Sequence, residues 1–276
     1  MPRPPRQRID SLLVYRGLAE SRTRAGALVL AGKVFAAGQR VEKAGTMLPA
    51  DISLEVRGEP DNRVSRGAYK LSKGLDFFNI SPLGLVCVDI GASTGGFTQV
   101  LLERGALKVY AVDVGYGQLA WSLRQDGRVV VMERKNAREL TEADFEEAPA
   151  LAVVDVSFIS LKLLLPALRR VLSPSGQAVL LVKPQFEVGK GRVGKGGVVR
   201  SKEDHADVLR GIIAFMEQDS GFFPAGLTFS PITGPMGNIE YLLHAVRFPV
   251  DKAPLSPEAA ADEAHRFFAE GRTSNG

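Results

Sequence analysis

From residue 65 to residue 248 the chain alternates short apolar runs with helically spaced stretches, and few folds accommodate that pattern. Strand-like runs lie at 85–90, 108–113, 128–132, 151–156 and 177–183. Helical spacing separates them, as at 97–104 and 160–172. A helix through Ala68, Leu71, Leu75 and Phe78, which Ser65 can cap, precedes the first strand. Strands joined through helices lie parallel, with the helices covering both faces of the sheet. A long helix is expected near 202–218, and beyond it the alternation stops. Strand patterns at 222–230 and 239–248 are joined by a Gly/Pro loop with no helix between them, so neighbouring strands there run antiparallel. The expectation is an α/β doubly wound sheet of seven strands with an antiparallel last strand. The tail, 251–276, is rich in Ala, Glu and Pro, with a short helix expected at 257–270.

Residues 1–57 follow another plan. Ile9, Leu12, Leu13 and Arg16 share one helical face, closed by Gly17. Ser21 can cap a second helix that turns Ala25, Leu28 and Val29 inward and ends at Gly32. Short strands are expected at 33–36 and 52–56, and 58–64 reads as a linker before the main domain at 65–250. The result is a small α+β module. Charge sets it apart: residues 1–50 hold nine Lys/Arg, among them Arg6, Arg8, Arg22, Arg24 and Lys33, against three acids. That is +6 in a chain whose total is +4. A basic module on a nearly neutral body points to a polyanionic partner, RNA or DNA.

At 276 residues, 45% of them hydrophobic, the chain has enough apolar side chains for a sizeable core. Its one cysteine, Cys87, reads as a small buried hydrophobe and rules out an internal disulfide or a cysteine zinc cluster. No stretch of about 18 uninterrupted apolar residues exists, so no membrane span is expected. The charged N-terminus is followed by no apolar stretch, so it does not read as a secretory signal, and a cytoplasmic protein is expected.

The first strand, loop and helix read Val88-Asp89-Ile90-Gly91-Ala92-Ser93-Thr94-Gly95-Gly96-Phe97. Glycines after a strand and opening a helix let backbone approach a ligand closely. The spacing is Gly-x-x-x-Gly-Gly, so the dinucleotide fingerprint Gly-x-Gly-x-x-Gly fails. Asp113, at the end of the next strand, is placed to accept hydrogen bonds from two ribose hydroxyls, and Asn136 could reach an adenine edge. Such a site suits a nucleoside without a pyrophosphate. A second glycine stretch, 189–196, satisfies Gly-x-x-x-x-Gly-Lys, but Gly196 stands where Ser or Thr would hold magnesium. An NTPase is therefore rejected. A basic loop carrying Lys190, Arg192 and Lys195 is expected, contacting substrate phosphate or covering the site.

Four charged residues are expected to converge on one sheet edge. Asp155 ends the fourth strand and Lys183 the fifth; ligands bind at the carboxyl ends of parallel strands. Glu240 begins the reversed last strand, which brings it to the same edge, and Lys70 on the preceding helix could reach over it. A ribose hydroxyl is a poor nucleophile until its proton is removed or its lone pair aimed. A lysine with a free pKa of about 10.4 must be depressed to act as the base. Lys183 is either base or orienting donor. Two structural salt bridges are the alternative.

Five ordered strings together resemble the TlyA family: Ser65-Arg66-Gly67-Ala68-Tyr69-Lys70-Leu71, Asp89 to Phe97, Val154-Asp155-Val156-Ser157-Phe158-Ile159-Ser160, Val182-Lys183-Pro184-Gln185-Phe186-Glu187 and Gly237-Asn238-Ile239-Glu240-Tyr241. In the N-terminal module Ser-Arg-x-x-Ala followed by Gly-Lys-Val resembles the S4-type RNA-binding domain. The family joins such a domain to an FtsJ-like ribose methyltransferase fold. The resemblance implies 2′-O-methylation of cytidine in ribosomal RNA, 16S, 23S or both, with S-adenosylmethionine as cofactor and no metal. It implies a catalytic tetrad of Lys70, Asp155, Lys183 and Glu240. The cofactor would lie on Asp89, Gly91, Ala92, Ser93, Thr94, Gly95, Gly96, Phe97, Asp113, Asn136 and Asp155. RNA would meet Arg6, Arg8, Arg22, Arg24, Lys33, Arg66, Lys190, Arg192 and Lys195, and the chain is expected to act as a monomer on rRNA or ribosomal subunits. Family linkers usually carry an aromatic residue before Val-Ser-Arg-Gly, whereas this chain has Asn62-Arg63-Val64, so coupling between RNA docking and cofactor binding is expected to differ here. The alternative is a non-catalytic RNA-binding or ribosome-assembly protein on the same fold. Some members are labelled haemolysins, but no segment here is long and apolar enough for a pore.

Overall fold

The computed structural model describes residues 5–19, 21–57, 63–189, 191–251 and 254–273. The chain forms two compact units, Met1–Asn62 and Arg63–Gly276.

In the first unit β1 (Arg6–Arg8) leads into α1 (Ile9–Tyr15) and α2 (Arg22–Leu30), followed by β2 (Val34–Ala36), β3 (Gln39–Arg40), β4 (Met47–Pro49) and β5 (Leu54–Val56). Ser21 caps α2, its hydroxyl accepting the Arg24 N–H. Ile9, Leu13, Ala25, Leu28, Val29 and Val34 form the core of the unit. Arg16 departs from its expected place on the apolar face. It follows the end of α1, where its guanidinium donates to the carbonyls of Ile52 and Ala50, both at 2.6 Å. β2 pairs with β3 and β5, and β1 with β4, all antiparallel. Strands β1 and β3 are two or three residues long, polar and exposed, so they carry no apolar run to announce them, and β4, Met47-Leu48-Pro49, is too short for its periodicity to tell it from a loop.

The second unit begins with α3 (Gly67–Phe78), β6 (Val86–Ile90), α4 (Gly96–Glu103), β7 (Lys108–Val112), α5 (Trp121–Arg124), β8 (Val129–Met132) and β9 (Leu151–Val154). It continues through α6 (Leu165–Val171), β10 (Gln177–Val182), α7 (Pro184–Glu187), α8 (Lys202–Phe215), β11 (Phe223–Phe229), β12 (Tyr241–Val246) and α9 (Pro257–Thr273). The sheet order is β11-β12-β10-β9-β6-β7-β8. The pairs from β10 through β8 are parallel, and β12 runs against both its neighbours. The expected seven-stranded mixed sheet is present. The central strands are apolar on both faces because each face carries its own core: α6 and α8 with α9 on one side, α3 and α4 on the other. Cys87 is buried in the second of these.

Two helices differ from expectation. The stretch 160–172 splits into a 3-10 turn (Leu161–Leu163) and α6, with Pro166 in the first turn of α6, where a missing N–H costs nothing. The helix expected to 218 ends at Phe215 and continues as a π turn, Met216–Ser220, closed by Gly221 at φ +68°. In the tail α9 runs to Thr273, three residues past the expected end, with Ala261 and Ala264 buried.

Candidate active site

Strand register assembles the site. Ile90 and Val154 lie side by side on β6 and β9, so Gly91 and Asp155 leave the sheet together. Val182 on β10 faces Tyr241 on β12, so Lys183 and Glu240 flank that last pair at the same edge.

The glycine loop is shaped by the chain itself. Gly91 has φ +84°, and a Cβ there would run into the backbone carbonyl of Asp155. A Cβ on Gly95, at φ +98°, would meet Leu123, and one on Gly96 would meet the Ser65 hydroxyl. All three motif glycines are thus required by close approach of protein to protein. The loop is tied to β7 and the residues after it: Gly91 N–H donates to the Val112 carbonyl at 2.8 Å, and Ser93 N–H to Asp113 Oδ2 at 2.8 Å. The other oxygen of Asp113 accepts the Gly115 N–H at 2.7 Å. Beneath the loop Asp89 is fully buried. One of its oxygens accepts the Thr98 hydroxyl at 2.7 Å and the other has no partner. Burial pushes its pKa up to about 7.

Two cavities meet at this loop, sharing Gly91, Ser93 and Asp155. One, of about 380 Å³, is lined by Asp113, Asn136, Val156 and Phe158 among others. The second, of about 440 Å³, is lined by Arg66, Lys70, Thr94, Phe97, Thr233 and Pro235 among others.

The four expected residues come together as two ion pairs. Lys70 Nζ lies 2.6 Å from Glu240 Oε2, with both side chains buried. Lys183 Nζ lies 2.6 Å from Asp155 Oδ1 and donates to the Ser157 hydroxyl at 3.0 Å. Burial raises the Glu240 pKa, and the charges of Lys70 and Lys183 oppose that rise. Both lysines therefore act on Glu240. Gly234 leaves room for it, since a Cβ there would lie 2.6 Å from Glu240 Oε1.

Other expected residues are differently engaged. Asn136 lines the smaller cavity, but its amide donates to Glu139 at 3.0 Å and its oxygen caps the next turn through the Arg138 N–H. The sequence reading passed over Ser157, Thr233 and Phe158. Phe158 is 90% exposed, holds φ +64° and packs against Phe186. Its own signal, a bulky residue in a left-handed backbone, exists only in three dimensions.

Residues 63–247 match the model of the FtsJ-like methyltransferases, and residues 7–51 match that of the S4 domain. The chain is 49% identical to a 16S/23S rRNA (cytidine-2′-O)-methyltransferase TlyA of Mycobacterium tuberculosis, over 96% of this chain and 98% of the relative. It is 42% identical to Hemolysin A of Brachyspira hyodysenteriae, over 87% of this chain and 99% of that protein. A solved structure of a candidate hemolysin from Streptococcus thermophilus matches with a TM-score of 0.77 and 46% identity, covering 98% and 99% of the two chains. The chain belongs to the TlyA family.

In this TlyA-family chain the basic residues are unevenly available. Arg8 and Arg22 both contact the Asp10 carboxylate, at 2.6 and 3.3 Å, which holds Asp10 well below the usual carboxylate range. Arg6 donates to the Met47 carbonyl at 2.6 Å. Arg24 and Lys33 are half-buried, near the start and just past the end of α2. Arg66 is exposed at the larger cavity. Lys195 is exposed, Lys190 lies outside the described residues, and Arg192 is paired with both Asp204 and Asp207. No helix follows the 189–196 loop directly; α8 starts at Lys202, capped by Ser201. Among the described residues no helix is long and apolar enough to cross a membrane, and no cluster of His, Cys, Asp and Glu could hold a metal ion.

Proposed function

We propose that this chain methylates the 2′-hydroxyl of a cytidine in ribosomal RNA, with S-adenosylmethionine as methyl donor and the S4 unit holding the RNA. The observation that carries the reading is the paired tetrad, Lys70–Glu240 and Lys183–Asp155, beside two cavities that share the glycine loop. The name of the Mycobacterium tuberculosis relative supports the nucleoside and the position.

The 380 Å³ cavity fits the cofactor. Asp113, though it accepts two N–H groups, keeps lone pairs for ribose hydroxyls. Asp89, Ala92, Ser93, Thr94, Gly95, Gly96 and Phe97 shape that end of the site. Asn136 would reach an adenine edge only by releasing Glu139. When bound, S-adenosylmethionine supplies a methyl group already activated by its positively charged sulfur.

The chain supplies the rest. Lys183, held by Asp155 and Ser157, can donate to the ribose oxygen and aim its lone pair. Asp155, next to it, can accept the hydroxyl proton. Lys70 and Glu240 form the buried support that fixes the surroundings of Lys183. Ribose-methylation mapping of rRNA from cells with and without the gene tests the reading. A cytidine that loses its 2′-O-methyl group when the gene is absent supports it, and an unchanged map overturns it.

A further inference from the structure

Next to Thr233 a further hollow of about 250 Å³ opens between the 198–200 segment, the loop before β12 and helix α9. Thr233 lines both this hollow and the 440 Å³ cavity. Gly237 and Ile239, which also line it, closely precede Glu240. Val199, Ile239 and Phe268 give it apolar walls, and its polar side chains are Arg200, Thr233 and His265. Among the described residues no carboxylate lines it, while Glu203 and Asp262 lie near enough to act on the charge of His265.

The walls are preformed. Asn238 is buried; its amide donates to the Gly197 carbonyl at 2.9 Å and its side-chain oxygen accepts the Val199 N–H at 3.0 Å. That clamp fastens the 197–199 segment to the approach of β12. Behind it His205 is fully buried. Its Nε2 lies 3.1 Å from the Val199 carbonyl, which can only accept, so Nε2 carries the hydrogen. Nδ1 is then an acceptor, 2.8 Å from the Tyr241 hydroxyl and 3.1 Å from Nε2 of His265. His265 is pinned from behind while it lines the hollow. Arg200 is exposed and has no ion-pair partner among the described residues, whereas the nearby Lys202 is tied to Asp262 at 2.5 Å.

We propose that this hollow is a second nucleotide subsite. It takes the RNA nucleotide adjoining the methylated one, with its phosphate on Arg200, its base against Phe268 and Ile239, and His265 beside it. The inference rests on the RNA reading above. A target nucleotide inside a chain is joined to its neighbours through phosphates, so a hollow sharing a wall with the tetrad cavity is where the next one falls. A guanidinium matches phosphate with parallel N–H donors, and an aromatic face accepts any base. An exposed guanidinium with no ion-pair partner among the described residues suits an anion.

Full-length protein carrying Arg200→Gln and Arg200→Glu tests this, and neither change touches the core because Arg200 is exposed. The expected result is a KM for rRNA raised about tenfold in Arg200→Gln and further in Arg200→Glu. The dissociation constant for S-adenosylmethionine should stay at the wild-type value. Wild-type KM in both variants overturns the subsite. A second measurement does not depend on turnover: the trinucleotide ApCpA is titrated into protein with labelled histidine, and the His265 ring is followed by NMR. A saturable shift that is lost in Arg200→Glu supports the subsite. No shift in the wild type, or one that survives in Arg200→Glu, overturns it. Should the wild type transfer no methyl group to rRNA while ApCpA still moves His265 in an Arg200-dependent way, the functional reading falls and the subsite stands.

Discussion

Lys183 contacts Asp155 and Ser157, which line the cofactor-sized cavity, whereas Lys70 is paired with buried Glu240 at the wall of the 440 Å³ cavity, and the two lysines should respond differently to substitution. On the proposed mechanism, Lys183→Ala removes the group that aims the hydroxyl. Methyl transfer should fall to background while rRNA affinity stays within about twofold of wild type, since less than about 0.4 kcal/mol of binding is involved. Near-normal single-turnover rates would remove Lys183 from the chemistry. Glu240→Ala leaves Lys70 charged and unpaired in a buried place, a change that costs about 3–5 kcal/mol, so it should lower the unfolding midpoint in urea as well as activity. Asp113→Ala should weaken S-adenosylmethionine by roughly 10–150-fold, the equivalent of a charged hydrogen bond of about 1.5–3 kcal/mol. It also releases the Ser93 and Gly115 N–H groups, so the calorimetric loss should lie toward the upper end. An unchanged dissociation constant would place the cofactor ribose elsewhere. The convergence of these four charged residues was legible because strand ends and one reversed strand fix which residues share an edge. The one-to-one pairing was not, because it depends on side-chain reach across strands, and Ser157 entered only as a letter in a motif.

Strands announced themselves where they were buried on both faces, as in Val86–Ile90 and Gln177–Val182, because each is a nearly continuous apolar run. Polar two- and three-residue strands such as Gln39–Arg40 did not, since nothing in their periodicity differs from a loop. The glycine loop lies between strand and helix as the pattern indicates, and its glycines also admit Asp155, Leu123 and Ser65 of the same chain, which only the fold reveals. Helix α9 was expected as a short helix in the tail. In the fold it brings His265 against His205, and Phe267 and Phe268 against Phe229. That packing gives the molecule a pH signature. Burial holds the His205 pKa down to about 4, against an ordinary 6.5. Between those values the unfolded chain binds more protons, so the His205 contribution is complete above about pH 6.5 and is lost as the pH falls toward 4. Asp89 has the opposite sign: raised from 3.8 to about 7, it favours the fold at acid pH and loses that contribution as the pH rises through 7. The stability advantage of wild type over His205→Gln should therefore shrink on acidification, by on the order of 3 kcal/mol over the window. Asp89→Asn should gain on wild type from pH 4 to 8. Urea unfolding at a series of pH values reads both, and pH-independent differences would mean that neither group is held in its buried neutral form.

The division between Met1–Asn62 and Arg63–Gly276 separates charge from chemistry. All four tetrad residues, both cavities at the glycine loop and the whole seven-stranded sheet lie in the second unit. The first unit holds the S4 match and a local excess of positive charge, part of which Asp10 already neutralises through Arg8 and Arg22. The boundary was legible from the change of pattern near residue 60, because an α+β module and an alternating α/β sheet have different periods. Which arginines remain available was not legible, since their carboxylate partners are set by the fold. A protein comprising residues 63–276 keeps two cores, one on each face of its sheet. It should fold cooperatively and bind S-adenosylmethionine with the affinity of the full chain. It should no longer methylate rRNA at concentrations where the full chain does. Cations that no longer neutralise phosphates no longer release counterions, so the slope of log affinity against log salt should fall by about 0.7–0.9 for each phosphate left free. With Arg8 and Arg22 sharing one carboxylate, the drop should be smaller than the number of basic residues deleted. A truncated protein with the affinity and salt slope of the full chain would mean that cations of the second unit, such as Arg66, Lys195 and Arg200, hold the RNA unaided.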